Sequence, residues 1–335
     1  MVVLPNTAFI ISRRGKKMLP KWRLTVVVIL GGASLVLASD AYMEIMSMKG
    51  HSAWVFSVAF SPDGERLVTG AWDNLVKIWE VKTGKEIFTL TGHTSFVHAV
   101  AWSPNGTLVA SGARDRTVRL WDAETGEQVV VLRGHDARVN AVTFSPDGNV
   151  LVSASNDGWI IFWDMKTFSP LKELRDHTRG VTCIAFSPHG RWLASGSADN
   201  TVRLWDVVSG EVVHVFRRDT AVIRALAFSP DGRYLVTCAL NGIVRVWDVT
   251  KLELIVTLCR ARMRMYSVDF SPTGTSIAAG RQDGRIKIWD VGTWKEVATL
   301  ERHKGGVLAL AFSPSGSLLA SGSADFTAKI WKLGE

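Results

Sequence analysis

An all-β chain built from seven copies of one four-stranded unit is what the sequence predicts, and three observations predict it. A tryptophan closes an apolar run at Trp79, Trp121, Trp163, Trp205, Trp247, Trp289 and Trp331, each 42 residues after the one before. In the same register an aromatic residue stands before a Ser-Pro turn at Phe60, Trp102, Phe144, Phe186, Phe228, Phe270 and Phe312, with a glycine two residues beyond each proline. No insertion or deletion interrupts the repeats, which fill the chain from about residue 43 to its end. A fixed period in the forties marks an array of units that stack on one another.

The strands of one unit follow from residues 92–133. Val97–Trp102, Leu108–Ser111, Thr117–Trp121 and Gln128–Leu132 are β-branched or apolar runs, separated by Pro-Asn-Gly, Asp-Arg and Glu-Thr-Gly. Such runs between such turns make an antiparallel meander. In the third strand Val118 and Leu120 face one side while Arg119 and Trp121 face the other. A sheet that is apolar on both faces cannot bury them alone, so its neighbours must cover it, and a closed ring of seven satisfies every sheet.

Gly-His occurs at 50/51, 92/93 and 134/135, and Trp-Asp at 121/122, 163/164, 205/206, 247/248 and 289/290. In these motifs and in its period the chain resembles the WD-repeat family, over roughly seven eighths of its length. The resemblance implies a single closed seven-bladed β-propeller over residues 42–335 and carries almost no information about activity.

Five repeats carry a His, a Ser or Thr, an Asp and a Trp at matching places. These are His51, Thr69, Asp73 and Trp79; His93, Ser111, Asp115 and Trp121; His135, Ser153, Asp157 and Trp163; His177, Ser195, Asp199 and Trp205; and His303, Ser321, Asp325 and Trp331. Ser, His and Asp together invite a hydrolase reading, but a catalytic triad is a single site built once. The resemblance implies instead a buried hydrogen-bond chain from the carboxylate through imidazole and hydroxyl to the indole N–H, which answers the need of buried polar groups for partners. Histidines one blade apart do not converge on one ion, so no metal is expected.

Residues 1–41 stand outside the array. Arg13, Arg14, Lys16, Lys17, Lys21 and Arg23 precede an apolar run from Leu24 to Ala38, followed by Ser39, Asp40 and Ala41. A basic segment, an apolar segment and a Ser-x-Ala end read as a secretory signal, of ordinary length if translation starts at Met18. An uncleaved anchor through residues 24–39 is the second reading, although the run is short of the roughly 20 residues a spanning helix needs. Either reading puts the propeller outside the cytoplasm, since the positive charges stay inside.

Residues 43–51, MEIMSMKGH, match 85–93, KEIFTLTGH, with no three strands before them, while the seventh repeat stops without its fourth strand. The two deficits complement each other, so Glu44–Met48 is expected to supply the outer strand of the last blade. Closure removes the strand edges that template aggregation.

Composition agrees with one large all-β body: 47% of residues are hydrophobic and 14 are tryptophan. The formal charge of +8 is concentrated in residues 1–41, and the remaining chain is nearly balanced, which excludes a strongly basic footprint for nucleic acid. Cys183, Cys238 and Cys259 occupy three different repeat positions, an odd set that makes neither a disulfide framework nor a metal cluster. Free thiols sit awkwardly with export.

The resemblance also implies where binding occurs. The third and fifth residues after each His position and the residue before each turn Asp face one end of the ring, called the top in this family. They are Trp54, Phe56 and Trp72 in blade one, Phe96, His98 and Arg114 in blade two, and Arg138 and Asn140 in blade three. Aromatic residues and arginines are the types enriched at interface hot spots. His98 by itself reads as an ordinary surface histidine, and Trp72 either as a binding residue or as one that covers its own turn or packs against a neighbour.

Blade four offers only Gly180, Thr182 and Ala198; blade five gives Val222, Arg224 and Leu240, and blade six Arg264 and Tyr266. Blades five and six break the polar chain, with Asp219 and Ala261 at the His position, Ala279 at the hydroxyl position and Asn241 at the Asp position. Arg217, Arg218, Arg224, Arg260, Arg262 and Arg264 stand nearby as either solvated charges or a site for a carboxylate or phosphate.

These features predict a non-catalytic scaffold binding a protein or peptide across the top face, as a monomeric propeller or one subunit of a larger complex. The alternative is an extracytoplasmic glycan or small-ligand binder that stacks its ligand on Trp54, Trp72 and Phe96. No phosphate-binding glycine loop, nucleophile elbow or zinc-ligand spacing is present, and no cofactor is implied.

Overall fold

The computed structural model describes residues 42–334, so the export or anchor segment expected at 1–41 lies outside the described residues. The described residues form seven antiparallel sheets of four strands each. In the second blade these are Val97–Trp102, Leu108–Ala113, Thr117–Asp122 and Gln128–Arg133. They run slightly past the apolar runs because backbone pairing continues to Val97 opposite Ala113 and Leu108 opposite Asp122, beyond the last side chain that must be buried.

The first strand of each blade lies against the first strand of the next, and that of blade seven against that of blade one, closing a ring around a central channel. The core lies between blades: Val68, Ile78 and Leu90 of the first pack with Val97, Trp102, Val109 and Trp121 of the second. Each sheet is therefore a wall of two cores, which is why both of its faces are apolar.

The clasp forms as expected and is longer. Tyr42–Lys49 pairs antiparallel with Thr327–Leu333, with a bulge between Glu44 and Met46. Met48, 2% exposed, joins Val55, Trp79 and Ile330 in the core between blades seven and one.

The glycine of each Ser-Pro turn is left-handed, as at Gly64 (φ 76°), whose N–H donates to Ser61 O at 2.9 Å. The turn after each Asp position also needs a left-handed residue. Asn74, Arg116, Gly158, Asn200, Gly242 and Gly284 fill it in six blades, and Phe326 (φ 71°) in the seventh. Among the described residues no helix is long and apolar enough to cross a membrane.

Candidate partner-binding face

Two backbone devices build the top face. Every first strand carries a β-bulge, located by the register shifts at Phe56, His98, Asn140, Thr182, Arg224, Tyr266 and Leu308. A bulge re-aims its side chain, and all seven of these residues line one channel space of about 220 Å³. In addition, the N–H before each turn Asp donates to the carbonyl of the third residue after the His position: Trp72 to Trp54 at 3.0 Å, Arg114 to Phe96 at 2.8 Å, Asn156 to Arg138 at 3.0 Å. That bond ties two loops together and sets the three top positions of a blade side by side.

In blades one and two this produces an aromatic cluster. Trp72 stacks with Trp54 at 4.6 Å between centroids, with Phe96 at 5.0 Å and with Phe56 at 5.3 Å. Trp72 is therefore the centre of the cluster, packed against its aromatic neighbours. Trp54 remains 40% exposed, and the Arg114 guanidinium lies 5.6 Å from the Phe96 ring.

His98 is not a surface histidine. It is 6% exposed, meets Phe56 edge-on at 4.8 Å, and its Nε2 has no hydrogen-bond partner. Burial, reinforced by the charges of Arg138, Arg224 and Arg114, pushes its pKa down to about 3, so the ring is neutral.

Beside it, a second cavity of about 180 Å³ brings together His98, Arg138, Asn140, Thr182 and Arg224. Phe56, Trp72, Val222 and Leu240 form its apolar walls. The Arg224 guanidinium lies 4.7 Å from the Phe56 ring, and burial depresses its pKa. Asn140 Nδ2 donates to Val181 O at 2.7 Å and Thr182 Oγ1 to Gly196 O at 2.9 Å, which fixes both side chains.

Nine of the expected binding residues thus share the aromatic cluster and the cavity beside it, and Tyr266 reaches the channel. Arg264 is exposed and lies outside both spaces. Thr182, Val222 and Leu240 are on this face by repeat position, but their small or ordinary side chains give no signal in the sequence that singles them out as binding residues.

The arginines of blades five and six do not form one group. Arg217, Arg218, Arg260 and Arg262 are exposed, whereas Arg224 is a bulge residue inside the channel mouth. The gap in the polar chain is filled from the third and second strands: Arg245 pairs with the Asp219 carboxylate, and Arg281 Nη2 donates to Asp283 Oδ2 at 2.8 Å.

The five complete tetrads adopt the expected chain. In blade two His93 Nδ1 donates to Asp115 Oδ2 at 2.8 Å, Ser111 donates to His93 Nε2 at 2.7 Å, and Trp121 Nε1 donates to Ser111 Oγ at 2.8 Å. The same links recur through Thr69, Ser153, Ser195 and Ser321. Each of these hydroxyls is 0% exposed. Burial pushes the thiols of Cys183 and Cys238 up to about 11 and 12, so neither is a ready nucleophile. Among the described residues no three His, Cys, Asp or Glu side chains group to hold a metal ion.

Comparison with known proteins agrees with this architecture. The family model described as the IFT122 first beta-propeller matches residues 54–172 and 155–332, together most of the chain. The chain is similar to the small ribosomal subunit protein RACK1z of Oryza sativa subsp. japonica, 33% identical over 81 residues that cover 24% of each chain. It is similar to a ribosome biogenesis protein WDR12 homolog of Drosophila mojavensis, 44% identical over 46 residues, 14% of this chain and 11% of that one. To apoptotic protease-activating factor 1 of Mus musculus it is 37% identical over 43 residues, 13% and 3% of the two chains. The matched stretches thus cover a quarter or less of these relatives.

Proposed function

The chain belongs to the WD-repeat β-propeller family, and from that premise we propose that it is a non-catalytic scaffold that docks a protein or peptide on its top face. One observation carries the reading: bulges and loop-to-loop hydrogen bonds gather an aromatic cluster and three arginines, Arg114, Arg138 and Arg224, at one mouth of the channel. Aromatic and arginine anchors of this kind dominate interface energetics. The Ser, His and Asp sets support no hydrolase, because each hydroxyl is buried and already shared between an imidazole and an indole.

The glycan reading is weaker. It needs open rings, but Trp72 is stacked with three neighbours and Phe96 lies between Trp72 and Arg114, leaving Trp54 as the exposed platform. The basic-then-apolar segment at 1–41 supports an extracytoplasmic location, with the run at 24–39 as cleaved signal or tether. Fractionation of host cells into cytoplasmic, membrane and outer compartments tests this, and cytoplasmic recovery of the full chain would overturn it.

The test of the scaffold is a pull-down from host extract with the full chain as bait, beside Trp54→Ala/Phe96→Ala/Arg138→Ala. A partner captured by the parent alone, while the variant still unfolds cooperatively, supports the top face. The same partner on both baits overturns it.

A further inference from the structure

Building on the scaffold reading, we infer that the cavity between Phe56, His98, Arg138 and Arg224 is an anchor pocket for a single carboxylate carried on an apolar stem, contributed by the partner peptide. Its volume, about 180 Å³, lies below the roughly 300–1,000 Å³ of ordinary small-molecule sites. It therefore accepts one side-chain-sized group rather than a whole ligand.

The polar lining carries two cations without an anionic partner. Among the described residues no carboxylate lies within ion-pair distance of Arg138 or Arg224, and the cavity has no acidic residue in its lining. Arg138 has only a long contact, 3.4 Å, to Asn156 Oδ1. Arg224 lies over Phe56 without an anionic partner. His98 Nε2, on a side chain more than nine-tenths buried, is unpartnered as well. Arg138 is exposed and Arg224 half-buried; a cation held against apolar walls without a counter-charge and a buried orphaned polar atom are both costly, and a bound anion that accepts from both guanidiniums offsets part of that cost.

The other half of the lining sets the stem. Phe56, Trp72, Val222 and Leu240 offer an apolar surface next to the guanidiniums, so a carboxylate attached to hydrocarbon matches both halves. A phosphate dianion matches less well, since it brings about twice the charge into a site where Arg224 is held among aromatic and aliphatic walls. Two parts of a peptide carry the favoured chemistry, a free C-terminus on an apolar residue and a glutamate side chain.

Indole fluorescence of the full chain, reporting on Trp54 and Trp72, is titrated with four probes. They are acetyl-glycyl-glycyl-leucine as the free acid, the same peptide as its C-terminal amide, acetyl-glycyl-glutamyl-glycine amide, and acetyl-glycyl-phosphoseryl-glycine amide. The free acid or the glutamyl peptide binds at least about tenfold more tightly than the leucyl amide, the worth of a charge-assisted hydrogen bond, and whichever wins identifies the source.

Arg224→Gln, and independently the more exposed Arg138→Gln, lowers that affinity about tenfold or more, while Arg264→Gln on the same face leaves it unchanged. Binding of both the leucyl acid and the glutamyl peptide no tighter than that of the leucyl amide, tightest binding of the phosphoseryl peptide, or wild-type affinity in both pocket variants overturns the inference. The pull-down separates it from the scaffold reading: a partner lost in the triple variant but retained by Arg224→Gln leaves the docking face standing and removes the carboxylate anchor.

Discussion

Lys329 Nζ donates to Glu44 Oε1 at 2.6 Å, joining the first described strand to the last across 285 positions of sequence. This pair sits on the clasp that completes blade seven, beside the buried Met48. Burial, not the ion pair, should dominate that closure. Met48→Ala is expected to destabilise the fold by about 2–4 kcal/mol through lost burial and a residual cavity. Glu44→Gln leaves the buried Lys329 ammonium a neutral acceptor in place of a carboxylate, and should cost no more than about 2 kcal/mol. Urea unfolding followed by indole fluorescence checks both, and a larger loss from Glu44→Gln would reverse the ranking.

Removing one hydroxyl from a complete tetrad strands two buried groups. Ser111→Ala leaves His93 Nε2 and Trp121 Nε1 without their shared partner, at an expected cost of about 1–3 kcal/mol. Blade six already has Ala279 at that place and no His, so Ala279→Ser should bring no comparable gain. Denaturation midpoints of the two variants test the contrast; equal shifts of opposite sign would contradict it.

Phe326 occupies the left-handed turn position that Asn and Gly fill in most blades, and the residue is 44% exposed. A bulky residue there is strained, and little packing offsets the strain. Phe326→Asn is expected to raise stability by about 1 kcal/mol. Calorimetry of the variant should show a higher Tm, and a lower one would mean that the ring has a packing role.

Asp269 stands on the first strand of blade six, where the other blades have Ala59, Ala101, Thr143, Ala185, Ala227 and Ala311. Burial drives its carboxyl up to about 7, although it accepts from the N–H groups of Phe312 at 3.0 Å and Phe270 at 2.9 Å. A folded pKa above the unfolded value of about 4 means that folding favours the protonated form. That contribution is complete below about pH 4 and is lost as pH rises toward 7.

The tetrad carboxylates act in the opposite direction. Burial alone would raise Asp115, but its hydrogen bonds from His93 and Thr117 outweigh burial and hold the carboxyl well below the usual range. Its contribution is present above about pH 4 and is lost in stronger acid. Between pH 5 and 8 the stability of the wild type should therefore decline more steeply than that of Asp269→Asn, as read from Tm at each pH; parallel profiles would refute this.

The ring, the number of blades and the clasp were legible in the sequence because each rests on a period that repeats without interruption, and the tetrads through the resemblance to the WD-repeat family. The site was legible only in outline. Repeat position located Trp54, Phe56, Phe96, Arg138 and Arg224 on one face, but whether a side chain points outward or into the channel depends on the bulge at the fifth residue, which leaves no mark in composition. His98 was misplaced for that reason. Arg224 was grouped with Arg217 and Arg218 because they are close in sequence, whereas the strand carries it into the mouth and leaves the others in solvent. Arg245 and Arg281 went unnoticed because the alternation of a strand does not show which carboxylate a long side chain will reach.

The most direct test of the top face as the functional surface is amide hydrogen exchange on the full chain, alone and with the partner captured from host extract. Partner binding is expected to slow exchange at residues 54–56, 72, 96–98, 138–140 and 222–224 and to leave the Ser-Pro turns at the opposite end unchanged. Protection confined to those turns or to the outer strands, with the top loops exchanging as in the free chain, would contradict the account.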